Sequence, residues 1–188
     1  EAGVTLPPNK TRASRYVVPS EYDCRACHEG APVPVLGFSA LQLSPERDPL
    51  APHAETPKPD AADLRALVAS GLVRNLPQRL IDQPPRVAAS SAVERAALGY
   101  LHANCGHCHS VPTETGASVP VDTILQQTAA DPSSASNVLR SLIEAPGRYR
   151  VAGTDAPMRI VSPGDAHATV LSLRMRSRDP RVEMRPLG

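Results

Sequence analysis

Tyr100-Leu101-His102-Ala103-Asn104-Cys105-Gly106-His107-Cys108-His109 decides how the rest of the chain is read. Two cysteines stand two residues apart, and a histidine follows at once. The same order occurs once more, as Cys24-Arg25-Ala26-Cys27-His28, and these two pairs use all four cysteines of the 188 residues. Cys-x-x-Cys-His is the attachment signature of c-type haem. The chemistry requires the order. Two thiols add to the two vinyl groups of a porphyrin as thioethers, and a spacing of two lets one turn of backbone reach both. The next residue then lies beneath the iron, so His28 and His109 each supply a nitrogen ligand. The cofactor expected is therefore two haem c groups, each with its iron, held by Cys24, Cys27 and His28 and by Cys105, Cys108 and His109.

Other uses of paired cysteines fit less well. A zinc ribbon has the knuckle spacing, but the two pairs lie about four times farther apart than the usual 15–20 residues. Zinc also gives no reason for a histidine directly after both pairs. A thioredoxin-like site expects a βαβ context after a strand, and the surrounding pattern offers none.

Outward from the motifs, the composition points the same way. With 21 prolines, long uninterrupted helices are excluded and much of the chain is loop. The aromatic residues are only Tyr16, Tyr22, Phe38, Tyr100 and Tyr149. A chain so loop-rich and aromatic-poor has difficulty offsetting its conformational entropy with side chains alone, and a large apolar porphyrin would fill that gap. Twenty basic residues against 19 acidic give a net charge of +1, which provides no electrostatic footing for nucleic acid or an anionic membrane. No stretch approaches the roughly 20 consecutive apolar residues of a transmembrane helix.

The expected fold class is mainly α with extensive loops, built as two cytochrome c-like haem modules. The Pro-rich Gln83-Pro84-Pro85-Arg86 reads as a linker, which divides the chain into 1-85, with an extended N-terminal arm, and 86-188. In the second module, Ser91 and Glu94 have the spacing of a capping box. Val93, Ala96, Ala97, Tyr100 and Leu101 follow at helical period, giving a helix that runs into the motif. A second helix is expected over Ser136–Glu144, stopped by Pro146-Gly147, and a third after an Asp165 cap. In the first module a short helix opens at Asp60–Asp63, carries Leu64, Leu67 and Val68, and ends at Gly71. Residues 44–59, with five prolines, form an extended loop.

Each iron has a second axial position. For the second haem, Met184 is the expected metal ligand. It lies in the polar segment Val182-Glu183-Met184-Arg185-Pro186, where few apolar neighbours make it a core residue. Met175, on a helix stripe, is the main competitor. The first module contains no methionine, so His53, in the loop Pro49-Leu50-Ala51-Pro52-His53, is its free histidine and the expected ligand of the first iron. Met158 or Met175 from the second module, or an open site, are the alternatives. His102 and His107 are read as surface residues or as support for the ligands rather than ligands, and His167 as exposed.

The segment Tyr100–His109 resembles the Tyr-Leu-x-x-Asn-Cys-x-x-Cys-His haem segment of bacterial two-haem c-type cytochromes, which occur alone or attached to exported dehydrogenases. Val18-Pro19-Ser20-Glu21-Tyr22-Asp23-Cys24 and Val35-Leu36-Gly37-Phe38 resemble that family's first haem segment. Ser162-Pro163-Gly164-Asp165, Arg174-Met175 and Met184-Arg185-Pro186-Leu187-Gly188 resemble its C-terminal part. The likeness covers most of the chain and is weakest over 110–155. The family's last motif usually reads Met-Pro-Pro, with its methionine on the iron; here Arg185 replaces the first proline. The resemblance implies a mostly helical cytochrome c fold, repeated.

These readings predict an electron carrier rather than an enzyme, with no catalytic residue. Its partners would be redox proteins, such as other cytochromes or a dehydrogenase. Two alternatives remain open: a two-haem peroxidase-like enzyme with one open haem site, and the electron-accepting subunit of a larger redox assembly. Thioether attachment takes place outside the cytoplasm, so a periplasmic or extracellular location is expected, with the sequence being the mature chain after signal peptide removal.

Overall fold

We describe a computed structural model over residues 20–29, 34–46, 60–110, 121–125, 132–150 and 157–177, with Val182 and Met184. Six helices appear among these residues: α1 (Glu21–His28), α2 (Leu64–Ala69), α3 (Arg79–Asp82), α4 (Ala92–Cys105), α5 (Pro132–Leu142) and α6 (Val170–Arg176). β-structure among them is limited to isolated bridges, including Ile143 with Val161, Pro146 with Arg159 and Arg159 with Thr169. The helical, loop-rich character expected from the prolines is therefore present. Residues 1–19 and 47–59, and with them the N-terminal arm, most of the Pro-rich loop and His53, lie outside the described residues.

α4 starts where its cap says. The Ser91 hydroxyl accepts the Glu94 N–H at 3.1 Å, satisfying one of the orphan donors of the first turn. The Glu94 carboxylate reaches back to the N–H of Ser90 at 3.2 Å, one residue earlier than a regular capping box would place it. α2 is capped by Asp63, which accepts from Ala66 N–H at 2.9 Å. It ends as expected, with Gly71 at φ 74°, a left-handed position that glycine occupies without steric cost.

Three details depart from the sequence reading. The buried side of α4 carries Leu98 and His102, with Leu101 half-buried beside them. Val93 and Tyr100, placed on the expected apolar stripe, are exposed at 68% and 46%. The two rows are a fraction of a turn apart, and the partners that choose between them lie far along the chain. α5 begins at Pro132, earlier than Ser136, because proline suits a first helical turn. α6 begins at Val170 after Thr169, not after Asp165. Asp165 instead accepts from the N–H groups of His167 and Ala168, and those two bonds lower its carboxyl pKa.

The core gathers Leu98 of α4, Ala135, Val138 and Leu142 of α5, Val121 and Leu125 of an extended segment, and Ile160. Leu41, Val87 and Ala89 pack against its edge. Pro85, in the stretch read as a linker, is fully buried. Two residues beyond the end of α5 the chain turns at Glu144, a non-glycine residue at φ 58°. Arg159 holds it there, donating to the Glu144 carbonyl and pairing with its carboxylate at 3.1 Å. From this corner Gly147 N–H donates to the Met158 carbonyl at 2.8 Å and Ile160 N–H to that of Ala145 at 2.8 Å. These bonds bind the chain after α5 to the chain before α6.

Candidate haem site

The second motif sits at the C-terminal end of α4. Cys105 is the last helical residue, and the chain then turns, with the N–H groups of Cys108 and His109 donating to the Cys105 carbonyl at 3.1 and 2.8 Å. Gly106 is required by close approach. A Cβ there would lie 2.5 Å from the Ile124 side chain and 2.8 Å from the His102 carbonyl. Thr123, itself buried, fixes the end of the motif, because its N–H and its hydroxyl both donate to the His109 carbonyl, at 2.9 and 3.0 Å.

A small apolar crevice, with a cavity of about 80 Å³, opens beside this turn. Cys105 and His109 line it together with Met184, Leu101, Leu142 and Ile160. Met184 is held there by its backbone, its N–H donating to the Arg174 carbonyl at 3.1 Å, while the Arg174 side chain donates to the Val182 carbonyl at 3.0 Å. α6 thus fastens the C-terminal segment through both ends of one arginine. Burial, reinforced by the nearby Arg174 cation, lowers the pKa of His109 and favours the neutral imidazole, the form that binds a metal. His109 Nδ1 is buried with no hydrogen-bond partner. Burial also raises the Cys105 thiol, and the neighbouring Cys108 adds to the shift.

The first motif lies on α1. Cys24 and His28 are exposed and Cys27 is buried. His28 Nδ1 is 2.7 Å from the Pro34 carbonyl. A carbonyl can only accept, so Nδ1 carries a proton and donates it in this bond, which orients the ring. Tyr22, Val35 and Phe38, in the segments flanking this motif, stand exposed.

The chain's own residues fit a haem at the second motif. Cys105 supplies a thiol, His109 a neutral imidazole and Met184 a thioether around one apolar crevice, while the Cys108 sulfur lies against that of Cys27. Arg148 and Arg174 also line it, and their cations suit a ligand with an apolar body and carboxylates. Of the other axial candidates, Met175 is exposed and Met158 half-buried; neither lines the crevice. His167 is exposed, as expected. Among the described residues no three His, Cys, Asp or Glu side chains gather as a metal-holding cluster, and no helix is long and apolar enough to cross a membrane.

His102 is the residue whose part the sequence concealed. It is not at the surface but buried, at 5% exposure. Leu125 N–H donates to its Nδ1 at 3.1 Å, which places the ring proton on Nε2; that nitrogen lies 3.4 Å from the Ser39 hydroxyl, and Ser39 donates to Gln42 at 2.9 Å. The ring is therefore a neutral crosspiece joining the turn at 39–43 to the segment at 121–125. Burial lowers its pKa below 6.5, and His107 lowers it further. Since the unfolded chain binds this proton more readily, stability is full above the unfolded value and falls as pH drops through it toward the folded value. We expect urea midpoints of the native chain to decline between pH 7 and pH 5 more steeply than those of His102→Asn, by up to one proton's worth of slope. Parallel slopes would show that His102 does not titrate differently on folding.

No family model matches the chain, and the comparisons with curated proteins and with solved structures likewise found no match.

Proposed function

We propose that this chain is an electron-transfer protein carrying two covalently attached haems, at Cys24 and Cys27 and at Cys105 and Cys108, with His28 and His109 as iron ligands. One observation carries the reading: Cys105, His109 and Met184 line a single apolar crevice. Met184 lies far along the chain from the second motif, and a shared haem would give the two a reason to meet. A haem bound there supplies a one-electron iron couple.

The chain does the rest. His109 and Met184 would both hold the iron of a haem bound there, which would leave no position for a substrate and favour electron exchange over substrate chemistry. The crevice's lining is mostly apolar, and a thioether ligand would raise the potential. At the first motif the Pro34 carbonyl orients His28, and His53 is our assignment for the opposite side. Two histidines would leave that site at lower potential, so the pair would favour electron flow from the first site to the second. We take residues 1–85 and 86–188 as the two haem modules, acting in an exported compartment toward redox proteins such as another cytochrome or a dehydrogenase.

Mass spectrometry of the chain, produced together with a haem-attachment machinery, tests the reading. The native chain should gain the mass of two haems, and a Cys105→Ala, Cys108→Ala variant only one. A native chain that emerges without added mass would end the proposal.

A further inference from the structure

Sequence spacing would pair each cysteine with its neighbour in the same motif. The fold brings together a different pair. Cys27 Sγ and Cys108 Sγ lie 3.2 Å apart although 81 positions separate them in the chain. No disulfide joins any of the four cysteines. We propose that in the haem-free protein Cys27 and Cys108 form a disulfide, giving the two motifs a second covalent fate that excludes haem attachment while it lasts.

A disulfide bond is about 2.05 Å long, so closing the gap needs a movement of about 1 Å. Two helix ends present the sulfurs: Cys27 sits in the last turn of α1 and Cys108 in the turn after α4. Cys27 is buried and Cys108 half-buried, so an incoming oxidant meets Cys108 first. With oxidised glutathione as oxidant, the Cys108 sulfur displaces one glutathione thiol and forms a mixed disulfide. The Cys27 sulfur then displaces the second. One S–S bond forms and one breaks, and the two protons and two electrons lost by the cysteines end on two glutathione thiols. Each motif then lacks one of the sulfurs that attachment uses, so reduction must come before loading.

The test uses the full chain made without haem, incubated with oxidised glutathione, alkylated and digested with trypsin. Cleavage after Arg25 separates Cys24, in peptide 16–25, from Cys27, in peptide 26–47, while Cys105 and Cys108 share peptide 96–140. We expect 26–47 joined to 96–140. The link should vanish in Cys108→Ser and persist in Cys24→Ser and Cys105→Ser. A link between 16–25 and 26–47, four alkylated cysteines, or a link that survives Cys108→Ser would each overturn the proposal. Dithiothreitol should restore haem uptake to the cross-linked chain. If the reduced chain also takes no haem while the 26–47 to 96–140 link is found, the haem reading fails and the cross-link stands.

Discussion

Met184→Ala should lower the reduction potential of the haem proposed at Cys105 and Cys108 by on the order of 0.1 V or more, within the roughly 0.8 V that axial ligands span. It should also convert that haem from low to high spin. In the proposed site the thioether would be the softer of the two ligands, so losing it would withdraw the preference for ferrous iron and open a coordination position. Met184 enters the crevice on a segment tied to α6 by the Arg174 carbonyl, and the variant keeps that backbone bond. The expected effect is therefore electronic, and the chain should still fold and still take up as many haems as the native chain. A spectroelectrochemical titration read alongside electron paramagnetic resonance separates the outcomes. Met175→Ala is the control, since that side chain is exposed and does not line the crevice. A drop in potential with Met175→Ala and none with Met184→Ala would transfer the ligand assignment to Met175.

Leu98→Ala should have the largest effect on stability. Leu98 is 1% exposed and sits where α4 meets α5 and the segment at 121–125. Truncating a fully buried leucine costs about 2–5 kcal/mol, the spread reflecting how far the cavity collapses. At about 2–4 °C per kcal/mol for a chain of this size, that is a fall in Tm of roughly 5–20 °C. Val93→Ala, on the same helix but 68% exposed, should stay within about 0.5 kcal/mol of native. The pair also decides between two assignments of the helix face, because the spacing of the apolar residues alone would have put Val93 inside. Calorimetric scans showing equal losses for the two variants would return the buried face to the row containing Val93.

Much of the architecture could be read from local signals, and the failures share one cause. The capping serine of α4 and the Asp63 cap and Gly71 stop of α2 act within a few residues of themselves, so their meaning is fixed before the chain folds; α5, by contrast, ends at Leu142, ahead of the Pro146-Gly147 pair expected to stop it. The choice between the Val93–Tyr100 row and the Leu98–His102 row depends on α5 and on Leu125, and nothing nearby in sequence announces them. The same holds for His102. A histidine one turn before a Cys-x-x-Cys-His motif looks like an accessory of that motif, yet its partners are Leu125 N–H and Ser39. Asp165 shows a subtler error. The residue caps backbone donors, as its type and the following residues suggest, but those donors belong to a turn that Thr169 separates from the helix proper. At the site, the two motifs and Met184 could be picked out by residue type. The crevice that collects three of them could not, because Thr123, Arg174 and Ile160 take part through tertiary placement alone. Nothing in the spacing foretold that Cys27 would lie against Cys108.

The crosspiece made by His102 also sets a clock. Ser39 and His102 are 63 positions apart, and Cys27 and Cys108 are 81 apart. At synthesis rates of about 5–20 residues per second, the first motif is complete roughly 4–16 s before the second exists. During that interval the turn at 39–43 has no ring to dock on and Cys27 has no opposing sulfur. The N-terminal half is thus made well before the contacts that will hold it. Whatever acts on the first motif in those seconds meets an open chain, whereas the second motif is completed beside a first that is already waiting.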